Sequence, residues 1–332
     1  MILTSGEAKV FNSLVKLRAE SVFNAVSKFL EAYYDTIVRS NKYMYAVGDI
    51  PVALVAHADT VFSNPPEEIF YDSKAQVYWG GANGLGADDR AGIFAILKIV
   101  RDGYRPHIII TTDEEKGCVG ARAFVEQIPK PFSPMKYIIE LDRRGFEDCV
   151  FYSCDNDLFI KYVESFGFKE AYGSFSDISS ICPTWGIAGV NLSIGYMDEH
   201  SYAERLYISS MLETIEKVKK MLDDANNIVD YYEYIEISPI TLYKKSDYHF
   251  SWCTGSQLMC HKCRTTHPDY EMFYVQEKDG SYRFWCPDCI SKNIGWCDRC
   301  GEPYELYGNS KNFCIECNKE MARAYEVRRE GN

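Results

Sequence analysis

Apolar residues recur at helical spacing through residues 8–35, at Val10, Leu14, Leu17, Val22, Val26 and Leu30, a period that predicts helix. "PVALVAHADT" follows, an apolar run with a polar end, which reads as a buried strand. "YDSKAQVYWGGANGLG" is broken by glycines into a hairpin or loop. "DDRAGIFAILKIVRDG" opens on acids, continues apolar and stops at Gly103, the punctuation of a helix. Further on come a strand in "HIIITTDEE", a helix in "VGARAFVEQI", a strand in "KYIIELD", a helix in "DLFIKYVESFGF" and a strand in "IAGVNLSIGY". A long amphipathic helix over 203–224 ends the series. Strands alternating with helices predict an α/β domain, three-layered α/β/α with a mainly parallel sheet, over residues 1–225.

In such sheets, sites form beyond the carboxyl ends of the strands. Four strands here end on acids or histidines: His57 and Asp59, Glu114 and Glu115, Asp142, and the run reaching His200. Asp88 opens the helix after the glycine-rich loop. Adjacent carboxylates such as Asp113, Glu114 and Glu115 repel one another, so their clustering calls for a cation. His57, Asp88, Glu115, Asp142 and His200 together offer two imidazoles and three carboxylates. That set suits a pair of Zn²⁺ ions, or Co²⁺ or Mn²⁺. Taken singly, His57 reads as a core histidine, Asp142 as a strand-end cap, and the Asp88–Asp89 pair as acids of a helix N-terminus. Their joint order is what points to metal.

Composition narrows the class. The 332 residues are 46% hydrophobic and 25% charged, with a net charge of −12. That is a soluble globular balance, and the acidity argues against a general nucleic-acid binder. "MILTSGEAKVF" lacks the basic start and apolar core of a signal peptide, and "GIFAILKIV" is too short to span a bilayer. A cytoplasmic setting is therefore expected, where thirteen cysteines point to metal more than to disulfides.

The ordered motifs H-x-D, G-x-D-D, D-E-E-x-G, a lone Asp and H-x-x-x-E are spelled here "HADTV", "GADDRAG", "TTDEEKGCVGA", "ELDRRG" and "HSYAE". This pattern resembles the co-catalytic di-zinc exopeptidases, a superfamily that includes zinc aminopeptidases, glutamate carboxypeptidases, peptidase T and aminoacylases. "GSFSDISSICPTWGIAGVNLSIG" is similar to the family's G-x-x-D segment, and the match spans roughly residues 8–225. The resemblance implies that His57 and Asp142 hold one ion, Glu115 and His200 the other, and that Asp88 bridges them. It implies Asp59 as the orienter of His57 and Glu114 as the general base. Asp89 would be a helix-capping acid, Asp113 a neighbour without a catalytic role, and Asp177 a pocket residue of unspecified role. Many relatives insert a lid between ligands. The intervals from His57 to Asp88 and from Asp142 to His200 are too short for one, so a lidless catalytic domain is expected.

The cysteines shift the picture at the C-terminal end. After a Tyr-rich connector over 226–248, residues 249–321 hold four C-x-x-C pairs: Cys260/Cys263, Cys286/Cys289, Cys297/Cys300 and Cys314/Cys317. Such pairs suit two structural Zn²⁺ sites in a double zinc ribbon, with 322–332 as a tail. Consecutive pairing is expected, with cross-bracing as the alternative. Trp285, Trp296 and Phe313 precede three of the pairs and would form the small cores. Cys253, His261 and His267 are read as non-ligands. Eight Lys or Arg against ten Asp or Glu in this region leave no basic stripe. Protein docking or self-association is thus favoured over nucleic acid.

The expected activity is amide-bond cleavage by a di-zinc metallohydrolase, most simply an aminopeptidase-like exopeptidase acting on peptides. An N-acyl-amino-acid deacylase or carboxypeptidase is the alternative, and a catalytically silent scaffold using its ribbons is a reading from another class. A free α-amine is expected on the substrate. Asp113, Asp177, Asp198 and Glu199 would form an acidic rim, whereas Arg143 and Arg144 are the only arginines besides Arg90 near the ligands in sequence.

Overall fold

The computed structural model describes residues 2–173 and 175–236, and in the C-terminal region 257–268, 272–278, 282–286, 288–290, 294–297, 303–306 and 314–315. The chain divides into two units, Met1–Glu236 and Ile237–Asn332. The first contains, in order, α1 (Ser5–Val15), α2 (Ala19–Leu30), β1 (Ile37–Arg39), β2 (Tyr43–Ala46), β3 (Ile50–His57), β4 (Ile69–Asp72), β5 (Val77–Gly80), α3 (Ala87–Arg101) and β6 (Pro106–Thr111). It continues with α4 (Val119–Gln127), β7 (Tyr137–Arg143), β8 (Asp148–Val150), α5 (Asp157–Glu164), β9 (Lys169–Glu170), α6 (Ile178–Trp185), β10 (Gly189–Ser193), β11 (Tyr196–Met197), β12 (Arg205–Tyr207) and α7 (Ile208–Asp224).

Eight strands form one sheet in the order β1-β2-β6-β3-β7-β10-β8-β9. The central four, β6, β3, β7 and β10, are mutually parallel. Their apolar runs are buried on both faces, as parallel strands between helix layers must be. Side chains alternate across β3: Val52, Leu54 and Ala56 pack toward α1, α2, α3, α5 and α7, while Ala53 and Val55 pack toward α4 and α6. The result is the expected α/β/α sandwich. A second sheet, β11-β12-β5-β4, is antiparallel and carries the hairpin predicted around the glycine-rich stretch.

The structure differs from the periodicity reading in two places. The helical pattern of 8–35 is two helices, broken between Val15 and Ala19. The predicted helix 203–224 begins only at Ile208, because Arg205–Tyr207 pair with β5 as a strand. Of the Tyr-rich stretch, Tyr232 and Tyr234 pack on the core of the first unit, and Glu233 and Glu236 make isolated bridges to Ile187 and Cys154. The rest of that stretch, 237–248, lies outside the described residues, as does the tail 322–332. Among the described residues, no helix is long and apolar enough to cross a membrane.

In the second unit, β13 (Gln257–Met259) pairs with β14 (Thr266–Pro268). β15 (Phe273–Gln276), β16 (Tyr282–Trp285), β17 (Ile294–Trp296) and β18 (Pro303–Glu305) form a sheet in the order β16-β15-β18-β17. Its core gathers Met272, Phe273, Val275, Trp285 and Ile290 around Cys260 and Cys286.

Gly92 decides how closely α3 approaches the sheet. A Cβ there would lie 2.2 Å from the Leu141 carbonyl oxygen and 2.3 Å from Asp89 Oδ1. Gly92→Ala is expected to destabilise the first unit by about 1–3 kcal/mol, the cost of overpacking a fitted core. A lowered urea midpoint checks this; an unchanged midpoint would mean that α3 shifts freely.

Candidate active site

Each expected ligand leaves the sheet at its carboxyl edge or on an adjacent loop. His57 ends β3, and its side chain is buried. Asp88 and Asp89 occupy the first turn of α3 with non-helical φ/ψ, which turns their carboxylates inward. Glu114 and Glu115 follow β6, Asp142 lies near the end of β7, and His200 sits between β11 and β12 with a left-handed φ of 61°.

The side chains meet in two groups that share one carboxylate. His57 Nε2 lies 3.1 Å from Asp88 Oδ1 and 3.4 Å from Asp142 Oδ1. His200 Nε2 lies 3.0 Å from Asp88 Oδ2 and 3.1 Å from Glu115 Oε2. Two donors each bonded to one tetrahedral zinc ion at ~2.0–2.1 Å stand about 3.3 Å apart. The observed spacings match that value, so these residues fit a pair of ions with Asp88 between them. Asp89 also comes within 4.8 Å of His57 and Asp142, but both of its oxygens are taken. Oδ2 accepts the His57 amide at 3.1 Å and Oδ1 accepts the Gly92 amide at 2.8 Å. Asp89 is thus an anchor that caps α3 and holds the end of β3.

Asp59 does two jobs. Its Oδ1 is 3.4 Å from His57 Nδ1, an electrostatic contact rather than a well-formed hydrogen bond, and that nitrogen has no other partner. Its two oxygens also accept the backbone amides of Glu114 and Glu115 at 3.1 and 3.3 Å. One carboxylate therefore sets both the imidazole and the turn that carries base and ligand. Asp142 is held by Tyr196, whose hydroxyl donates to Oδ1 at 3.0 Å, and by Ser176, which donates to Oδ2 at 3.3 Å.

The H-x-x-x-E spacing pointed to Glu204 but assigned it no part. It is fully buried, and its carboxylate accepts the Gly86 amide at 2.5 Å and the Asp88 amide at 3.1 Å. It thereby ties the loop of His200 to the loop of Asp88. Glu140, another acid unassigned by sequence, is also fully buried, and its oxygens have no geometric hydrogen-bond partner among the described residues. Burial, with the charges of Asp142 and Asp177, pushes its carboxyl well above the usual range. An acid inside the apolar run "YIIELD" was its only signal.

The expected acidic rim is largely absent. Asp113 is paired with Lys42 and Lys116, and Glu199 with Arg144 at 2.9 Å. Asp177 is fully buried and accepts the Thr111 hydroxyl. Each was expected at the rim because the sequence shows the acids but not their partners. Asp198 alone of the four is exposed with no recorded ion pair among the described residues.

The electrostatics ask for cations. Burial raises Asp142 to about 7 and Glu114 to about 9, with neighbouring carboxylates adding to both. His200 is pushed up to about 11 by hydrogen bonds with Asp88 and Glu115. Burial alone would lower His57, yet Asp142, Asp59 and Asp88 raise it well above its ordinary value. Protonated imidazoles are thus the counter-charge this cluster recruits when no ion is present.

In the second unit, Cys260, Cys263, Cys286 and Cys289 bring one sulfur each within 4.8 Å of the others. The Cys286 amide donates to Cys260 Sγ at 3.2 Å, and hydrogen bonds from Thr265 bring Cys263 down to about 6. This is the consecutive pairing of the first two knuckles. His261 contacts Glu277 at 2.7 Å, and His267 contacts the Thr265 hydroxyl at 2.8 Å, the same hydroxyl that meets Cys263 Sγ at 2.8 Å. Cys297 and Cys314 are buried around Tyr304, while Cys300, Cys317, Cys253 and Phe313 lie outside the described residues.

The fold and the paired ligand groups define the class: this first unit is a metallopeptidase domain, and metallopeptidases are hydrolases. Residues 37–165 match the model described as "Peptidase family M28", so the unit contains a peptidase M28 domain of the co-catalytic zinc superfamily. No curated protein matches the chain. Among solved structures, a tripeptidase from Staphylococcus aureus is similar at 14% identity and a TM-score of 0.57, covering 69% of this chain and 100% of its own. The aminopeptidase PepT from Bacillus cereus is similar at 14% identity and a TM-score of 0.54, covering 66% of this chain and 98% of its own. At that identity the likeness is one of fold.

Metal must displace the protons that His57 and His200 carry in the ion-free site. Raised imidazole pKa values favour the protonated form, so metal affinity is weaker at low pH and grows as pH rises. Adding Zn²⁺ to ion-free protein near pH 7 should release protons, read as a dependence of the calorimetric heat on buffer ionisation enthalpy. A heat independent of buffer would contradict the protonated pair.

Proposed function

We propose that this chain is a di-metal exopeptidase that removes the amino-terminal residue of peptides. The observation that carries the reading is Asp88, whose two oxygens face His57 and His200 at 3.1 and 3.0 Å. Bound Zn²⁺, Co²⁺ or Mn²⁺ would polarise the scissile carbonyl and acidify a water. His57, Asp88 and Asp142 would hold one ion; Asp88, Glu115 and His200 the other. Asp59 fixes the imidazole and the Glu114–Glu115 turn.

Glu114 is the proposed base. It is 9% exposed, and among the described residues its carboxylate meets the Cys118 thiol, at 3.5 Å. Burial and neighbouring carboxylates raise its pKa, and two bound cations would offset that rise and keep the carboxylate ionised. An ionised Glu114 suits a group taking a proton from the attacking water and passing it to the leaving nitrogen. Neither arginine beside the ligands is wholly free for a substrate carboxylate, although Arg143 keeps an Nε with no partner among the described residues. Arg143 donates to the Tyr172 carbonyl at 3.0 Å and Arg144 pairs with Glu199. This favours cleavage at a free amino end over deacylation.

The second unit we read as a zinc-ribbon module with two structural zinc ions, used for protein docking or self-association. The buried cysteines Cys118, Cys149 and Cys182, none of them in a disulfide, and the metal-type cysteine pairs support a cytoplasmic setting.

Glu114→Gln is expected to retain both catalytic metals and lose at least about 100-fold in kcat on an unblocked dipeptide. Near-normal turnover would remove Glu114 from the mechanism, and faster cleavage of N-acetyl amino acids by the wild type would replace the exopeptidase with a deacylase. Cys286→Ser should release the zinc held by Cys260, Cys263, Cys286 and Cys289 while the di-metal site keeps its ions. Joint loss of all metals would mean that the two sites fold as one.

A further inference from the structure

A cavity of about 260 Å³ lies beside the metal loops. Thr60, next to Asp59, and Gly86, two residues before Asp88, form part of its wall. Phe62 also lines it, and the Phe62 ring stacks on Tyr202, two residues past His200, at 6.1 Å. The cavity therefore borders the loops of three groups in the di-metal site, although none of those groups lines it. It is smaller than the ~300–1,000 Å³ of drug-sized sites and suits one residue-sized group.

Its chemistry is divided. Val15, Leu17, Phe62 and Leu85 make an apolar side. The other side carries positive charge from three sources. Arg18 is exposed and tethered to Asn64 Oδ1 at 3.2 Å. Arg18 is also the N-cap of α2, a twelve-residue helix whose first turn has no side-chain cap, and Ala19 and Glu20 of that turn line the cavity. The first amides of a helix have no intrahelical acceptor and favour an anion. Arg90, 3% exposed, lines the cavity as well. Its Nη groups donate to the carbonyls of Ala58 and Leu17, and among the described residues its Nε has no acceptor. A buried guanidinium with an unfilled donor is costly unless an acceptor or anion compensates it. Against these stand Glu20 in the wall and Asp59, Asp88 and Asp89 close to Arg90, so Arg18 and the first amides of α2 are the positive groups left for a ligand.

We propose that this cavity receives the C-terminal residue of a short peptide substrate, an apolar side chain lying against Val15, Leu17, Phe62 and Leu85. The peptide's α-carboxylate lies toward Arg18 and the first turn of α2. The assignment rests on the exopeptidase reading. It adds that substrates are short, end in an apolar residue and carry a free carboxylate, and that Glu20 disfavours acidic C-terminal residues. Selection by length is part of the proposal: only a peptide whose extended length, at ~3.3–3.6 Å per residue, matches the span from the metal ligands to the cavity can place its C-terminus there.

The test compares Leu-Gly-Leu with its C-terminal amide on metal-loaded protein, in the wild type and in Arg18→Gln and Arg18→Lys. The wild type should show a KM for the amide about tenfold higher or more, a ratio typical of one charge-assisted contact. The ratio should fall to near one in Arg18→Gln and be partly restored in Arg18→Lys. Calorimetry with 4-methylpentanoate, an apolar carboxylate with no bond to cleave, should show binding that Arg18→Gln abolishes. Equal KM values for acid and amide in the wild type would overturn the proposal. So would Arg18-dependent binding of inorganic phosphate without binding of 4-methylpentanoate, which would make the cavity an effector site for a free anion. If neither peptide is cleaved, the exopeptidase reading fails by itself, and the 4-methylpentanoate titration still decides whether the cavity takes an apolar carboxylate.

Discussion

The structure turns on one carboxylate. Asp88 faces both histidines, one oxygen to each, and every neighbouring loop is arranged to keep it there. Glu204 holds the backbone at Gly86 and Asp88, while Asp89 holds the end of β3 and the start of α3. Gly92 lets α3 sit against β7 closely enough for that geometry. A bridging ligand tolerates little displacement, because a shift toward one ion is a shift away from the other. The loops are therefore tied by carboxylate-to-amide hydrogen bonds, which are directional and charge-assisted.

The same density of carboxylates would destabilise a protein with no cation to receive them. This unit handles the excess in three ways. Asp113 and Glu199 are given lysine or arginine partners. Asp59, Asp89 and Glu204 spend their charge on backbone amides. Glu140 is fully buried, which raises its carboxyl above the usual range. What remains, Asp88, Glu115 and Asp142 with two imidazoles, is the set left for metal.

The second unit solves a different problem. It is small, and its apolar cluster is built around Trp285, Phe273 and two cysteines rather than around a broad sheet. Cores of that size gain much of their stability from a bound ion. The four thiols that converge there, and the amide-to-sulfur bond at Cys286, are the local geometry such an ion requires.

Periodicity and strand-end chemistry were enough to predict the α/β class and to single out His57, Asp88, Glu115, Asp142 and His200, side chains that the structure brings together at the carboxyl edge of the sheet. Those features are local: an apolar run, a glycine, an acid at a fixed spacing. Periodicity did not reveal that Arg205–Tyr207 would leave the helix to pair with β5, since strand pairing depends on a partner distant in sequence. It also could not distinguish an acid available to a substrate from one already paired. Asp113 and Asp177 looked equally accessible until Lys42, Lys116 and Thr111 were placed beside them. The roles of Glu204, Tyr196 and Arg90 were likewise settled only by tertiary structure. A hydrogen-bond acceptor, a buried charge and a cavity wall are relations between segments, and a linear pattern records only their members.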